Sequence, residues 1–277
     1  MKKFIHQIYY NASTCKMLDP GFVALDNTAN ARPDWFEFWV ILNFLRNNPL
    51  EENAWYGFFS PKFRLKTGLK SEAILSFLQK QPAATEVALF SPSWDQIAYF
   101  LNPFEQGEFW HPGLRDLSQK FCDAIDLQVD LKTLTAHSHS SVFSNYIVAK
   151  PAFWRQWQEI AEAFFAFIEQ GEKPLAKKIG ANTTYGSAAH EAPMKTFIQE
   201  RIATLVLARN DFKVAAMDFS PHGGIFTKIF NDDQRTRRLL QSCDLLKQLY
   251  CESGDEEYLS IFRKTRALVP AKCNLLP

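Results

Sequence analysis

Lys62, Arg64, Lys66 and Lys70 follow directly on Ser60-Pro61, with Thr67 and Gly68 among them. Four cations just past a strand end can neutralise a diphosphate, and the same run can also be a solvated basic loop. Glu200-Arg201 lies in Phe197-Ile-Gln-Glu-Arg-Ile-Ala-Thr-Leu-Val-Leu, where Phe197, Ile198, Ile202 and Leu205 give a helix an apolar stripe. Charges so close to a buried stripe need a partner. The two residues therefore form a structural ion pair or turn a carboxylate toward a crevice. His137-Ser-His139 supplies two imidazoles but no clear third ligand, so it reads as a solvated pair rather than a metal site. His222-Gly223-Gly224 resembles an oxyanion loop, yet no GxSxG elbow accompanies it. There is also no GxGxxG, and no GxxxxGK followed by Ser or Thr, which argues against dinucleotide and Walker-type loops.

The elements that must hold these residues are marked by a repeat. Phe-Ser-Pro occurs at Phe59-Ser60-Pro61, Phe90-Ser91-Pro92 and Phe219-Ser220-Pro221, each time after a short apolar run. Such a run closed by Ser-Pro predicts a buried strand, because proline has no N–H to continue a ladder. If the three strands are parallel, their carboxyl ends share the sheet edge where open α/β folds hold ligands. Strands are expected at 4–10, 55–59, 86–90, 143–149 and 212–217. Helices are expected at 34–45, 71–79 (with Ser71 as cap), 112–125, 152–169 and 195–207, with a C-terminal pair at 232–250 and 256–268. The acidic pairs Asp232-Asp233 and Asp255-Glu256 stand where helix caps are needed. The polar stretch 173–193 reads as a long lid-like loop. Strands alternating with helices predict an α/β fold: a single domain over 1–230 with a mostly parallel central sheet flanked by helices, and a C-terminal helical extension over 231–277 packed on it.

Bulk properties bound the function. The 277 residues carry a net charge of +1, so no basic field points to nucleic acid. Five widely spaced cysteines without a CxxC pair predict free thiols and a reducing, cytoplasmic setting. No apolar run is long enough for a membrane span. Arg235, Arg237 and Arg238 give the C-terminal helices some basic character, which leaves room for peripheral membrane contact or an ordinary solvated face.

Four segments, in order, resemble one family. Ile5-His6-Gln7-Ile8-Tyr9 is similar to the opening strand of bacterial capsular and surface polysaccharide glycosyltransferases, and Trp55-Tyr56-Gly57-Phe58-Phe59-Ser60 to their second-strand segment. Ser144-Asn145-Tyr146-Ile147-Val148-Ala149-Lys150, followed by Phe153-Trp154, resembles their Asn-Met-Phe-Ile strand and the helix after it. Phe197-Ile-Gln-Glu200-Arg201-Ile202 resembles their late Glu-Arg-Leu helix.

The resemblance implies a GT-A-like fold, a nucleotide-sugar donor and a glycan acceptor. It would place His6, Gln7, Tyr9 and Ser60 near the nucleotide, and Asn145 by the donor sugar or acceptor. Glu200 would be the catalytic base, with Asp95 as second choice. His111, Arg201 and His222 are further acceptor or loop candidates. Many members carry an Asp-x-Asp metal pair near the second strand. Here that place reads Ser60-Pro61-Lys62, which leaves divalent-metal use open and suggests that Lys62, Arg64 and Lys66 supply the positive charge instead. The alternative is a non-catalytic protein of the same fold that binds glycan or a partner enzyme.

Overall fold

The computed structural model describes residues 1–171, 173–185, 187–220 and 229–270, side chains at 184–190 aside. Along the chain run β1 (Lys2–Tyr9), α1 (Ala12–Cys15), β2 (Val23–Asp26), a 3-10 turn (Pro33–Trp35), α2 (Phe36–Asn47), β3 (Ala54–Phe59), α3 (Phe63–Thr67), α4 (Ser71–Lys80) and β4 (Val87–Leu89). Next come α5 (Trp94–Tyr99), α6 (Pro103–Trp110), α7 (Leu114–Ala124), β5 (Ile147–Ala149), α8 (Pro151–Glu169) and α9 (Pro174–Gly180). The chain closes with β6 (Asn182–Tyr185), β7 (Ser187–Pro193), α10 (Met194–Gln199), α11 (Ile202–Arg209), β8 (Val214–Ala216), α12 (Gln234–Ser253) and α13 (Glu256–Ala267).

These elements form two units that interleave in sequence. The first is Met1–Ser91 with Val142–Met217, and the second is Pro92–Ser141 with Asp218–Pro277. The expected boundary at 230 thus has a different counterpart: residues 92–141 group with the C-terminal helices.

The first unit holds a six-stranded sheet in the order β2-β1-β3-β5-β4-β8. β1 pairs in parallel with β2 and β3, and β4 pairs in parallel with β8. β5 is antiparallel to both β3 and β4, which leaves the other five strands pointing one way. The strands before all three Phe-Ser-Pro segments, β3, β4 and β8, therefore end at a common edge. β3 is buried at all six positions and reads as a continuous apolar run, as a strand covered on both faces must. Gly57 is required there, because a Cβ would meet Val148 Cγ2 at 2.9 Å across the β3–β5 pair.

Helix α2 turns Phe38, Ile41, Leu42 and Leu45 inward. Pro151 opens α8, which buries Phe153, Trp154, Trp157 and Phe164 and donates from Trp154 Nε1 to the Tyr56 carbonyl at 3.0 Å. Proline fits this first turn because its missing N–H would have no partner anyway.

Four expectations change. Residues 173–193 form α9 and an antiparallel β6–β7 hairpin rather than a lid-like loop; a polar ribbon carries no apolar run to announce it. β2 and the short helices α1, α3, α5 and α6 were not foreseen. The helix expected over 195–207 is two helices broken at Glu200-Arg201. Ser71 is the first helical residue, not the cap, and its N–H and hydroxyl both donate to the Asp19 carboxylate. Asp233 and Asp255 do cap α12 and α13, as read from the sequence.

In the second unit, α12 lays Leu240, Cys243 and Lys247 along one buried stripe. The fully buried Lys247 ammonium donates to the carbonyls of Ile97, Phe100 and Ala136.

Candidate functional site

β1 sends alternate side chains to opposite faces of the sheet. Phe4, His6 and Ile8 share one face, where His6 stacks on Phe58 (5.4 Å, 9°) and tilts against Phe44 (4.8 Å). Burial pulls the His6 imidazole down to about 4, so it is neutral near pH 7, and neither ring nitrogen has a partner among the described residues. A neutral ring enclosed by two phenylalanines does not meet a nucleotide, so His6 is corrected from donor contact to core residue.

On the other face, Gln7 is buried and bridges two loops. Its Oε1 accepts from the Asp19 N–H at 2.7 Å, and its Nε2 donates to the Ser60 carbonyl at 3.5 Å. Gln7 thus shapes the carboxyl edge from beneath. Tyr9, half-buried, pairs its phenol with the Asp26 carboxylate.

Beyond the ends of β1 and β2, the first unit has a cavity of about 250 Å³. The buried Ile8 and Val40 line its base, Asn27 and Asn30 supply amides, and Glu37 adds a carboxylate from the first turn of α2. Two exposed aromatic rings flank it, Tyr10 at 36% and Phe36 at 48%. Phe36 has φ 49° and ψ −141°, a conformation that bulky side chains rarely adopt. Strain of this kind, about 1–3 kcal/mol, concentrates where a site needs it.

A polar cluster lies within electrostatic reach of Glu37. The Ser60 and Tyr146 hydroxyls are 2.9 Å apart. Tyr146 is raised by burial, with Lys66 opposing and Glu37 and Glu200 reinforcing the rise. Lys66 Nζ stands 5.9 Å from the Tyr146 ring centroid. Just before it, Asn145 takes a left-handed conformation (φ 51°), which asparagine tolerates better than most residues. Its Oδ1 and the Ser144 hydroxyl are buried without partners among the described residues. Unsatisfied buried acceptors and donors at a strained turn make this segment a candidate part of a site.

Glu200 completes the cluster. The Arg201 guanidinium donates to the Phe197 carbonyl, the acceptor that an unbroken helix would offer to the Arg201 N–H. That N–H shifts to the Ile198 carbonyl at 3.0 Å, and the helix breaks. Burial pushes the half-buried Glu200 carboxyl up to about 7; Lys66 and Arg201 oppose the rise, and Glu37 adds to it. No hydrogen bond reaches this carboxylate among the described residues. Burial likewise pulls Arg201 down to about 10, against the pull of Glu200. Arg201 is 3% exposed and so acts as a scaffold for the break rather than as an acceptor contact.

Of the three proposed phosphate cations, Lys66 reaches the cluster, Arg64 acts on Asp19, and Lys62 is exposed at the start of α3. Asp95 and His111 lie in the second unit at 1% and 6% exposure, too enclosed to meet an acceptor. His222 lies outside the described residues. Among the described residues no three His, Cys, Asp or Glu side chains come together as metal ligands, and the donor set at Ser60-Pro61-Lys62 does not fit a divalent cation. Tyr10, Phe36 and Glu37 escaped the sequence reading. The signal available was Pro33 opening a helix whose first turn carries a ring and an acid.

No protein-family model matches this chain, and no match is found among curated proteins or solved structures.

Proposed function

We propose that the first unit is a GT-A-like nucleotide-sugar transferase that moves a sugar from a nucleoside-diphosphate donor to a hydroxyl of a glycan. The observation that carries this is the cavity between Tyr10 and Phe36, which opens beyond the carboxyl ends of parallel strands and whose wall residue Glu37 acts electrostatically on the Glu200 carboxyl. Aromatic faces suit a base or a sugar ring, and the amides of Asn27 and Asn30 suit its polar edge.

In this reading Glu200 accepts the proton of the acceptor hydroxyl as its oxygen bonds to the anomeric carbon. The bond from that carbon to phosphate breaks, and the nucleoside diphosphate leaves with the electron pair. Lys66 meets the leaving charge. A base that titrates near working pH combines availability with proton affinity, and such assistance is typically worth about 10²–10⁴-fold. Surface polysaccharide assembly is the role in keeping with the sequence resemblance.

The test is a thermal-shift screen with nucleoside diphosphates and their sugar conjugates, with and without Mn²⁺, followed by turnover assays on the donor that binds. A ligand at 100 times its Kd stabilises by about 2.7 kcal/mol. A shift with one nucleoside diphosphate, reduced by Tyr10→Ala, supports the assignment. No shift with any nucleotide moves the reading to a glycan-binding or partner-binding protein.

A further inference from the structure

Beyond catalysis, one face of the first unit is unlike the rest of the surface. α3 turns Phe63 and Thr67 inward, both buried. Leu65 stands on the opposite side of the turn and is 78% exposed, the highest value among the exposed large apolar side chains described. Lys62, Arg64 and Lys66 flank it, and Lys70 follows after the left-handed Gly68; all four cations are exposed.

The loop after α1 adjoins this turn. Phe22 packs edge-on against Phe63 at 6.0 Å, Asp19 bonds Ser71, and the Arg64 charge acts on Asp19. That loop adds Lys16, exposed, and Met17, 45% exposed. The acids nearby are Asp19, whose oxygens are taken by Ser71 and the Gly21 N–H, the exposed Glu72, and Glu200, on which the Lys66 charge acts. In a chain of net charge +1, the exposed cations Lys62, Arg64 and Lys70 lie along the turn that projects Leu65, and the adjoining loop adds Lys16 and Met17.

We infer that this basic turn, with Leu65 at its tip, docks on an anionic lipid bilayer. Charge complementarity draws the cations to acidic headgroups, and Leu65 enters the headgroup–acyl boundary. Leu65 decides against a soluble polyanion or nucleic acid, since an apolar tip gains nothing from phosphate. The shared positive charge decides against a second copy of the chain. The basic residues of α12 are a poorer candidate, because Arg237 there is already paired with Asp232.

Flotation of the full chain with vesicles tests this, using phosphatidylcholine alone and phosphatidylcholine with about one-third phosphatidylglycerol. Binding is expected on the anionic vesicles and not on the neutral ones, with sharp weakening between about 0.05 and 0.5 M salt. Leu65→Ser should lower partitioning by about tenfold, the effect of withdrawing one leucine from an apolar phase. Lys62→Gln with Lys70→Gln should lower it by about tenfold or more. All three side chains are exposed, so melting temperatures serve as the folding control. Absence of wild-type binding to anionic vesicles at low salt overturns the inference without any variant. Binding that survives Leu65→Ser unchanged, or that a phosphate-rich RNA abolishes equally well in wild type and variant, overturns it too. Nucleotide binding by the same preparation is a separate readout and stands or falls independently.

Discussion

Lys247 in the second unit and Glu200 in the first both lose water on folding, and burial displaces both titrations, Lys247 down to about 8 and Glu200 up to about 7. They differ in what replaces the water. Lys247 spends its three protons on three carbonyls, those of Ile97 and Phe100 at the end of α5 and that of Ala136, and it is sealed at 0% exposure. Glu200 sits at a helix break, half-buried, with charged neighbours and no hydrogen bond to its carboxylate among the described residues. A buried charge that is fully satisfied is architecture, whereas one left half-buried without a hydrogen bond is what the proposed function needs as equipment. The same physical cause, desolvation, has two outcomes, and the hydrogen-bond inventory separates them.

The comparison can be broken most sharply at Glu200. Glu200→Gln should lower turnover by about 10²–10⁴-fold, and wild-type activity should rise with pH through about 7 as the carboxylate forms. A pH–rate profile checks both. Lys247→Met comes next: it strands three buried carbonyls and should destabilise the second unit by about 3 kcal/mol, read by denaturant unfolding.

The third test returns to Glu200, now for stability. Its folded-state pKa lies above the ordinary 4.5, so the folded state holds the proton more tightly. Its contribution therefore falls as pH rises from about 4.5 to about 7 and is level above that. Glu200→Gln removes this decline and should be more stable than wild type at pH 8 by on the order of 1–3 kcal/mol. A residue that costs stability and supports turnover would mark equipment; loss of both would mark architecture. Smallest is Phe36→Gly, which relieves the positive φ for a gain of about 1 kcal/mol while removing one wall of the cavity. Thermal melts should rise without nucleotide, and the nucleotide-dependent shift should shrink.

Much of the first unit was legible because three of its strands, β3, β4 and β8, follow short apolar runs that lead to Ser-Pro, and its helices carry 3.6-residue stripes. The shared edge followed from the repeat at Phe59, Phe90 and Phe219. What escaped had no periodic signature. β2 is a short edge strand with largely exposed side chains, and β6–β7 is a polar ribbon. Local backbone strain placed Phe36, and no composition rule announces it. Glu200 drew attention in the sequence because its charge lies beside a stripe. Lys247 was missed although it falls on its own stripe, four residues after Cys243 and seven after Leu240. His6 was drawn into the site by resemblance, while its neighbours in space, Phe44 and Phe58, were too distant in sequence to argue otherwise.

The interleaving of the two units has a kinetic side. β3 and β4 do not touch in the sheet until β5 enters between them, and β5 follows an insertion of about 50 residues that belongs to the other unit. The central pairing must therefore wait for a long loop to close, and β8 extends the wait to residue 216. Contacts so distant in sequence slow folding. During synthesis the edges of β3 and β4 that face β5 stay unpaired while the chain between β4 and β5 emerges, the interval when such edges are most open to aggregation. The second unit closes later still, since α12 meets α5 only after more than 130 intervening residues. Refolding from denaturant should be slow and concentration-sensitive for both units, whatever their final stability.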